Sequence, residues 1–293
     1  MDKKVYLKTY GLLYLIVAFF ALAIAGRIYR AFDISLLIVI PAALVLCIPV
    51  TFIALMVMLN KEKKNPYAKL HWEFKQELFK NGYTEKFFEL SGKAITAHKN
   101  GEKISNVYLN DYVLYTADYY NMMEQYDTAM SYLVLLDEKD LTSGKVTFVD
   151  EGMYALMYYG CLMECYRGLN DKGNAINMIE RARPVLDRTF KHDSISMLSD
   201  STYYNYYMLI GNYDKASEFV DKLMSYRSAE ADKSIIKYLA EADYNVYLGR
   251  KAEAIEALKK VKAMSDESGN PVIAFVYERN KINLGLAEEM AGM

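Results

Sequence analysis

The chain has 293 residues with 35 basic and 37 acidic side chains, a formal net charge of −2. That near balance hides a split, because residues 9–26 and 34–59 carry no charge at all. Residues 66–293 hold 27 basic and 34 acidic groups, a net of −7, and an acidic domain without a basic stripe excludes a nucleic-acid partner.

The first element predicted is an N-terminal transmembrane hairpin, residues 1–65, with spans at about 7–28 and 34–59. A hydrocarbon core of about 30 Å needs roughly 20 apolar residues in a helix. The second run exceeds this; the first reaches it only with Val5–Leu7 and Ile28, so that Lys8 must snorkel to the surface. Pro41 and Pro49 should kink the second helix, which a span tolerates better than a soluble helix does. Seven lysines (Lys3, Lys4, Lys8, Lys61, Lys63, Lys64, Lys69) flank the hairpin, against Arg27 and Arg30 in its loop, which favours both ends inside. The following domain is then expected on the cytoplasmic face. Ala23-Ile24-Ala25 before Gly26 also fits a signal-peptide cleavage site; even so, the second run would span with its lysine-rich end inside.

From residue 66 onward only Pro66, Pro184 and Pro271 interrupt apolar residues at three- and four-residue spacing, the period of a helix. The expected class is therefore all-α. One pattern recurs: a turn, a polar pair, an alanine, then apolar residues four and seven positions on. It reads Glu124-Gln125-Tyr126-Asp127-Thr128-Ala129 with Leu133 and Leu136, then Asn170–Ala175 with Ile179 and Ala182. It returns as Gly211–Ala216 with Val220 and Leu223, and as Gly249–Ala254 with Leu258 and Val261. These segments resemble the tetratricopeptide repeat, in which a turn joins two antiparallel helices and small residues let the backbones approach. Twelve positions before each alanine, where that family has a small residue, stand Ala117 and Ala242 but also Met163 and Tyr204. The family's aromatic three positions later is Tyr120, Tyr166 and Tyr207, then Asn245. The alanines are 46, 41 and 38 residues apart, so these are long, divergent repeats, with Asp137–Thr147 as one extension. A fifth, degenerate copy opens the array at Asn81–Lys86, backed by Phe87 and Leu90. The resemblance covers residues 70–265 and implies a solenoid of four to five repeats in a helical repeat domain of residues 66–293. A last helix begins at Asn270-Pro271, and its Phe275, Ile282, Leu286 and Met290 are expected to cap the open end.

Motifs for chemistry are missing: no phosphate-binding glycine loop, no Gly-x-Ser-x-Gly and no His-Glu-x-x-His. His71, His98 and His192 are scattered, and His192-Asp193 reads as a tip between helices, since no nucleophile accompanies it. Cys47, Cys161 and Cys165 offer no disulfide framework; the last two read as small buried residues. No catalytic residue, metal site or cofactor is expected, and the chain is read as a non-enzyme. Most of the 27 tyrosines should pack between helices, with an aromatic-lined peptide groove as the alternative. Tyr67, Lys69 and Trp72 suit either the membrane interface or the core.

The resemblance implies a membrane-anchored scaffold or adaptor that binds a protein or peptide. Alternatives are a subunit of a transport or secretion assembly, and a membrane sensor. In the family, the position eleven residues before the alanine points into the concave groove. Here it is Asp118, Glu164, Asn205 and Asp243, with Asp111 and Asn121 on the same wall. A row of carboxylates should attract a basic segment.

Overall fold

A computed structural model of the chain describes residues 10–11, 13–24, 36–63, 65–142, 152–190, 192–227 and 231–291. These residues are helical, joined by turns, with no strand among them. The chain divides into two units, Met1–Lys69 and Leu70–Met293.

In the first unit, helix α1 (Leu13–Ile24) and helix α2 (Leu36–Lys63) are apolar almost throughout. The stretch Ile40–Val57 has a mean hydropathy of 2.6, and α2 is the one helix among the described residues long and apolar enough to cross a membrane. The described part of α1 is shorter. Its flanks, needed for the expected span at 7–28, lie largely outside the described residues, as does the loop with Arg27 and Arg30. Large apolar side chains face outward on both helices: Phe19 is 71 % exposed and Leu46 66 %. Among the described residues, the buried positions of this unit are few, Ala18, Cys47, Thr51 and Leu55. Pro41 and Pro49 both lie within α2. The Thr51 hydroxyl donates to the Cys47 carbonyl (2.7 Å), and the Cys47 thiol to the Ala43 carbonyl (3.1 Å). These back-bonds satisfy the polar groups inside their own helix. The Tyr14 hydroxyl donates to the Leu44 carbonyl (3.2 Å), tying α1 to α2.

The second unit begins within α3 (Pro66–Asn81) and continues with α4 (Glu85–Lys99), α5 (Asn106–Met122), α6 (Tyr126–Leu133) and the short α7 (Glu138–Thr142). Then follow α8 (Met153–Gly168), α9 (Lys172–Leu186), α10 (Asp193–Ile210) and α11 (Tyr213–Ser225). The last three are α12 (Ala231–Tyr247), α13 (Lys251–Ser268) and α14 (Pro271–Asn283). Part of the expected Asp137–Thr147 extension is thus α7, and residues 143–147 lie outside the described residues.

One turn is built four times. Five residues before each alanine, Glu124, Asn170, Gly211 and Gly249 adopt left-handed φ values of 58°, 54°, 81° and 71°. The next residue's N–H reaches back five positions: Gln125 to the Tyr120 carbonyl, Asp171 to Tyr166, Asn212 to Tyr207 and Arg250 to Asn245. This is the bond that closes a helix by a left-handed residue. The same residue then opens the next helix, its carbonyl accepting from the alanine N–H in all four cases. Asp171 and Asn212 add side-chain caps on Asn174 and Lys215. Immediately inside each new helix, Ala129, Ala175, Ala216 and Ala254 are fully buried. So are Ala117, Ala242 and Met163, with Tyr204 nearly so, which fill the facing position in the preceding helices.

The helices pack as pairs, α5 with α6, α8 with α9, α10 with α11 and α12 with α13. First members also pack on one another in chain order: α5, α8, α10, α12. Around Ala216 the cluster is Met197, Tyr204, Val220, Leu223 and Ala240. Burial of a side chain such as Leu223 contributes about 2 kcal/mol. The opening α3–α4 turn at Gly82 (φ 81°) lacks the five-back bond but keeps a cap, the Thr84 hydroxyl accepting from Phe87 N–H. Phe87 and Leu90 are buried, whereas Trp72 is 59 % exposed.

The last helix departs from expectation. Asn270 caps it, but it stops at Asn283, where Leu286 N–H closes on the Lys281 carbonyl around left-handed Gly285. Leu286 and Met290 therefore pack from the turn beyond the helix against the α12–α13 cluster, and Ile282 is 49 % exposed rather than capping. Phe275 does not cover the end of the array. Its ring lies against Tyr83 (5.1 Å) and stacks on Tyr119 (5.4 Å), in the first two hairpins. Arg279 Nε and Asn283 Nδ2 both donate to the Met122 carbonyl, at 3.3 and 3.0 Å. Helix α14 thus ties the last hairpin back to α5.

Candidate partner-binding wall

Because α5, α8, α10 and α12 pack in sequence, residues one repeat apart become neighbours. The six residues expected on the inner wall all take part in polar contacts that run from one hairpin to another. At the first of these, Asp111 is buried, with Oδ2 at 2.7 Å from His71 Nε2 and 3.2 Å from Lys75 Nζ. Tyr154 donates to its other oxygen (3.1 Å). Burial pushes the Asp111 carboxyl up, but the His71 hydrogen bond and the Lys75 charge outweigh it and hold its pKa below the usual value.

The next contacts are less compensated. Asp118 accepts from the Tyr83 hydroxyl (3.2 Å). Asn121 Nδ2 donates to the Cys161 carbonyl (2.9 Å) and to Glu164 Oε2 (3.2 Å), while its Oδ1 accepts from the Cys165 thiol (3.0 Å). Burial pushes Asp118 up to about 6, which its bond from Tyr83 only partly opposes. Burial, reinforced by the charge of Asp118, pushes Glu164 up to about 8. Two carboxyls that share a poorly solvated site do not both ionise readily, so this pair holds a proton near neutrality. Burial also raises the Cys165 thiol to about 12, which leaves it a weak donor rather than a nucleophile.

The last contact is an ion pair. Arg167 Nη1 lies 2.7 Å from Asp243 Oδ2 and donates to Asn205 Oδ1 (2.7 Å), linking α8, α10 and α12. The Tyr204 hydroxyl donates to the same Asp243 oxygen (2.6 Å). These six positions therefore do not form a bare row of carboxylates. Asp111 and Asp243 are matched by cations of the chain itself, and Asp118 with Glu164 sheds charge by protonation.

Sequence reasoning named these six residues but not the side chains that engage them, His71, Lys75, Tyr83, Tyr154, Arg167 and Tyr204. A signal existed: most of these bonds join residues 38 to 43 apart, close to the alanine spacing. Elsewhere, His192 is exposed at the start of α10, and the Asp193 carboxylate accepts from Arg227 N–H (3.0 Å) instead of orienting a base. Among the described residues no group of three His, Cys, Asp or Glu side chains is placed to hold a metal. No known family model, curated protein or solved structure matches this chain.

Proposed function

We propose that this protein is a membrane-anchored adaptor, whose tetratricopeptide-like helical domain binds another protein on the cytoplasmic face. The observation that carries the reading is the coupling in one chain of an outward-apolar helix, α2, to a series of hairpins built on one repeated turn. Exposed aliphatic side chains over most of the α2 surface suit lipid rather than water. The four left-handed turns, each followed by a buried alanine, support the repeat reading more closely than the sequence motif did. Arrays of this kind serve as binding surfaces. A plain hairpin anchor is favoured over a subunit of a transport assembly, because Cys47 and Thr51 spend their hydrogen bonds inside α2.

Single cysteines at Ile28 and Asn100 in a Cys-free variant test the topology. With an impermeant thiol reagent on intact cells, position 28 should label and position 100 only after permeabilisation. Labelling at 100 but not 28 in intact cells overturns it. Crosslinking in intact membranes should then capture specific proteins through residues 70–293, and a chain crosslinked to none would remove the adaptor reading.

A further inference from the structure

The second unit is acidic as a whole, yet residues 181–192 hold Arg181, Arg183, Arg188 and Lys191 against Asp187 alone. Two of these, Arg183 and Arg188, at the end of α9, border a solvent-open cleft of about 600 Å³ between α9, α10 and α11. Its volume lies within the range of ligand-binding clefts.

One side of the cleft is aromatic. The rings of Tyr203, Tyr207 and Phe219 stack on one another with centroids 5.3–6.3 Å apart. All three are partly exposed, so the stack is a surface rather than a core. Its carboxylates are already engaged: Asp200 accepts from Lys222 (2.7 Å) and Tyr226 (2.6 Å), and Asp187 from Tyr203 (2.5 Å). Arg181, which does not line the cleft, is taken by Glu138. The cleft's own guanidinium groups, Arg183 and Arg188, are exposed and form no ion pair among the described residues, and Arg188 Nε is steadied on the Pro184 carbonyl (3.0 Å).

We propose that this cleft is a docking site for an extended acidic peptide segment of a partner protein, one carrying a carboxylate beside an aromatic or aliphatic side chain. The inference rests on the adaptor reading and names its partner chemistry. A guanidinium pairs with a carboxylate through two parallel hydrogen bonds, and the ring faces accept the adjoining apolar side chain. A basic segment would meet Arg183 and Arg188 with like charge. The inner wall offers no comparable pair of unmatched cations, since Arg167 and Lys75 are bound to Asp243 and Asp111.

The test is selection of a random peptide display pool on the full chain in detergent micelles, followed by fluorescence anisotropy with the enriched peptides. Enriched sequences should carry Asp or Glu next to an aromatic or aliphatic residue. Their affinity should fall with salt and by at least about tenfold in the double variant Arg183→Gln/Arg188→Gln at unchanged helicity. Failure to enrich, enrichment without acidic residues, or equal binding by the double variant overturns the site. So does displacement of the peptides by phosphatidylserine vesicles, which would assign the arginines to lipid headgroups. If the cleft fails while membrane crosslinking still captures specific proteins, the adaptor reading stands with its surface elsewhere.

Discussion

Arg167 on α8 reaches past α10 to Asp243 on α12, an ion pair of 2.7 Å that also holds Asn205 on the helix between. One side chain thereby fixes the spacing of three consecutive hairpins. Removing it leaves Asp243 with only the Tyr204 hydroxyl. Arg167→Leu should lower stability of the helical domain by about 2–3 kcal/mol, less than a fully buried pair because both side chains keep some solvent. Adding Asp243→Asn should recover part of that loss. Equilibrium urea unfolding of the single and double variants checks both.

The Asp118–Glu164 pair sets a pH dependence with a definite sign. Both native carboxyls, about 6 and about 8, lie above their ordinary values of 3.8 and 4.5. Between those limits the folded state binds more protons than the unfolded chain, so this pair's contribution falls as pH rises. It is unchanged at about pH 4, declines through the range of the native values and reaches its low limit above about pH 8. Asp118→Asn/Glu164→Gln removes the titration while keeping acceptors for Tyr83 and Asn121. The variant's melting temperature should gain on the parent's steadily from about pH 5 to about pH 8. A constant difference across that range would show that the pair does not titrate as argued.

The recurring turn predicts opposite effects of two substitutions. Glu124 occupies the left-handed region at φ 58°, where a Cβ costs roughly 1 kcal/mol, so Glu124→Gly should stabilise by up to about that amount. Gly211 sits in the equivalent place at φ 81°, and Gly211→Ala should destabilise by about 1–2 kcal/mol, although its side chain would meet little else. Thermal unfolding followed by circular dichroism distinguishes the two signs.

Close packing predicts two further losses. A Cβ on Gly168 would fall among the ring atoms of Tyr126, and Ala216 is fully buried. Gly168→Ala and Ala216→Phe should each overpack a hairpin contact and cost about 1–3 kcal/mol in denaturant unfolding. Ala252→Phe, on the exposed side of α13, is the control and should change stability little.

Much of this architecture was legible because it is local. A turn residue and an alanine within six positions specify a close helix crossing, and all four such segments form the same turn. Phe87 and Leu90 were likewise readable from their spacing behind Gly82. The partners of Asp118 and Asp243 were not, since Arg167 or Tyr83 in isolation looks like any helix-flanking side chain. Only the repeat frame brings them opposite Asp243 and Asp118. The path of α14 was hidden for another reason. Val276 and Tyr277 join the α12–α13 cluster while the adjoining Phe275 lies against Tyr83 and Tyr119, so no single apolar stripe showed which surface the helix would cover. The cleft had a compositional signal in its basic segment, which the acidic average of the domain concealed.

The Met122 carbonyl accepts from Arg279 and Asn283, residues 157 and 161 positions later in the chain. A stack whose units touch only their neighbours can form from the first unit onward as it leaves the ribosome, and can fray from either end. Here the second hairpin waits for the last helix to be made before its final contacts close. The N-terminal hairpins should therefore expose Tyr83 and Tyr119 throughout synthesis. Folding should end in a slow step set by that long loop, and a chain cut before Pro271 should show faster amide exchange in α5 as well as at its new end.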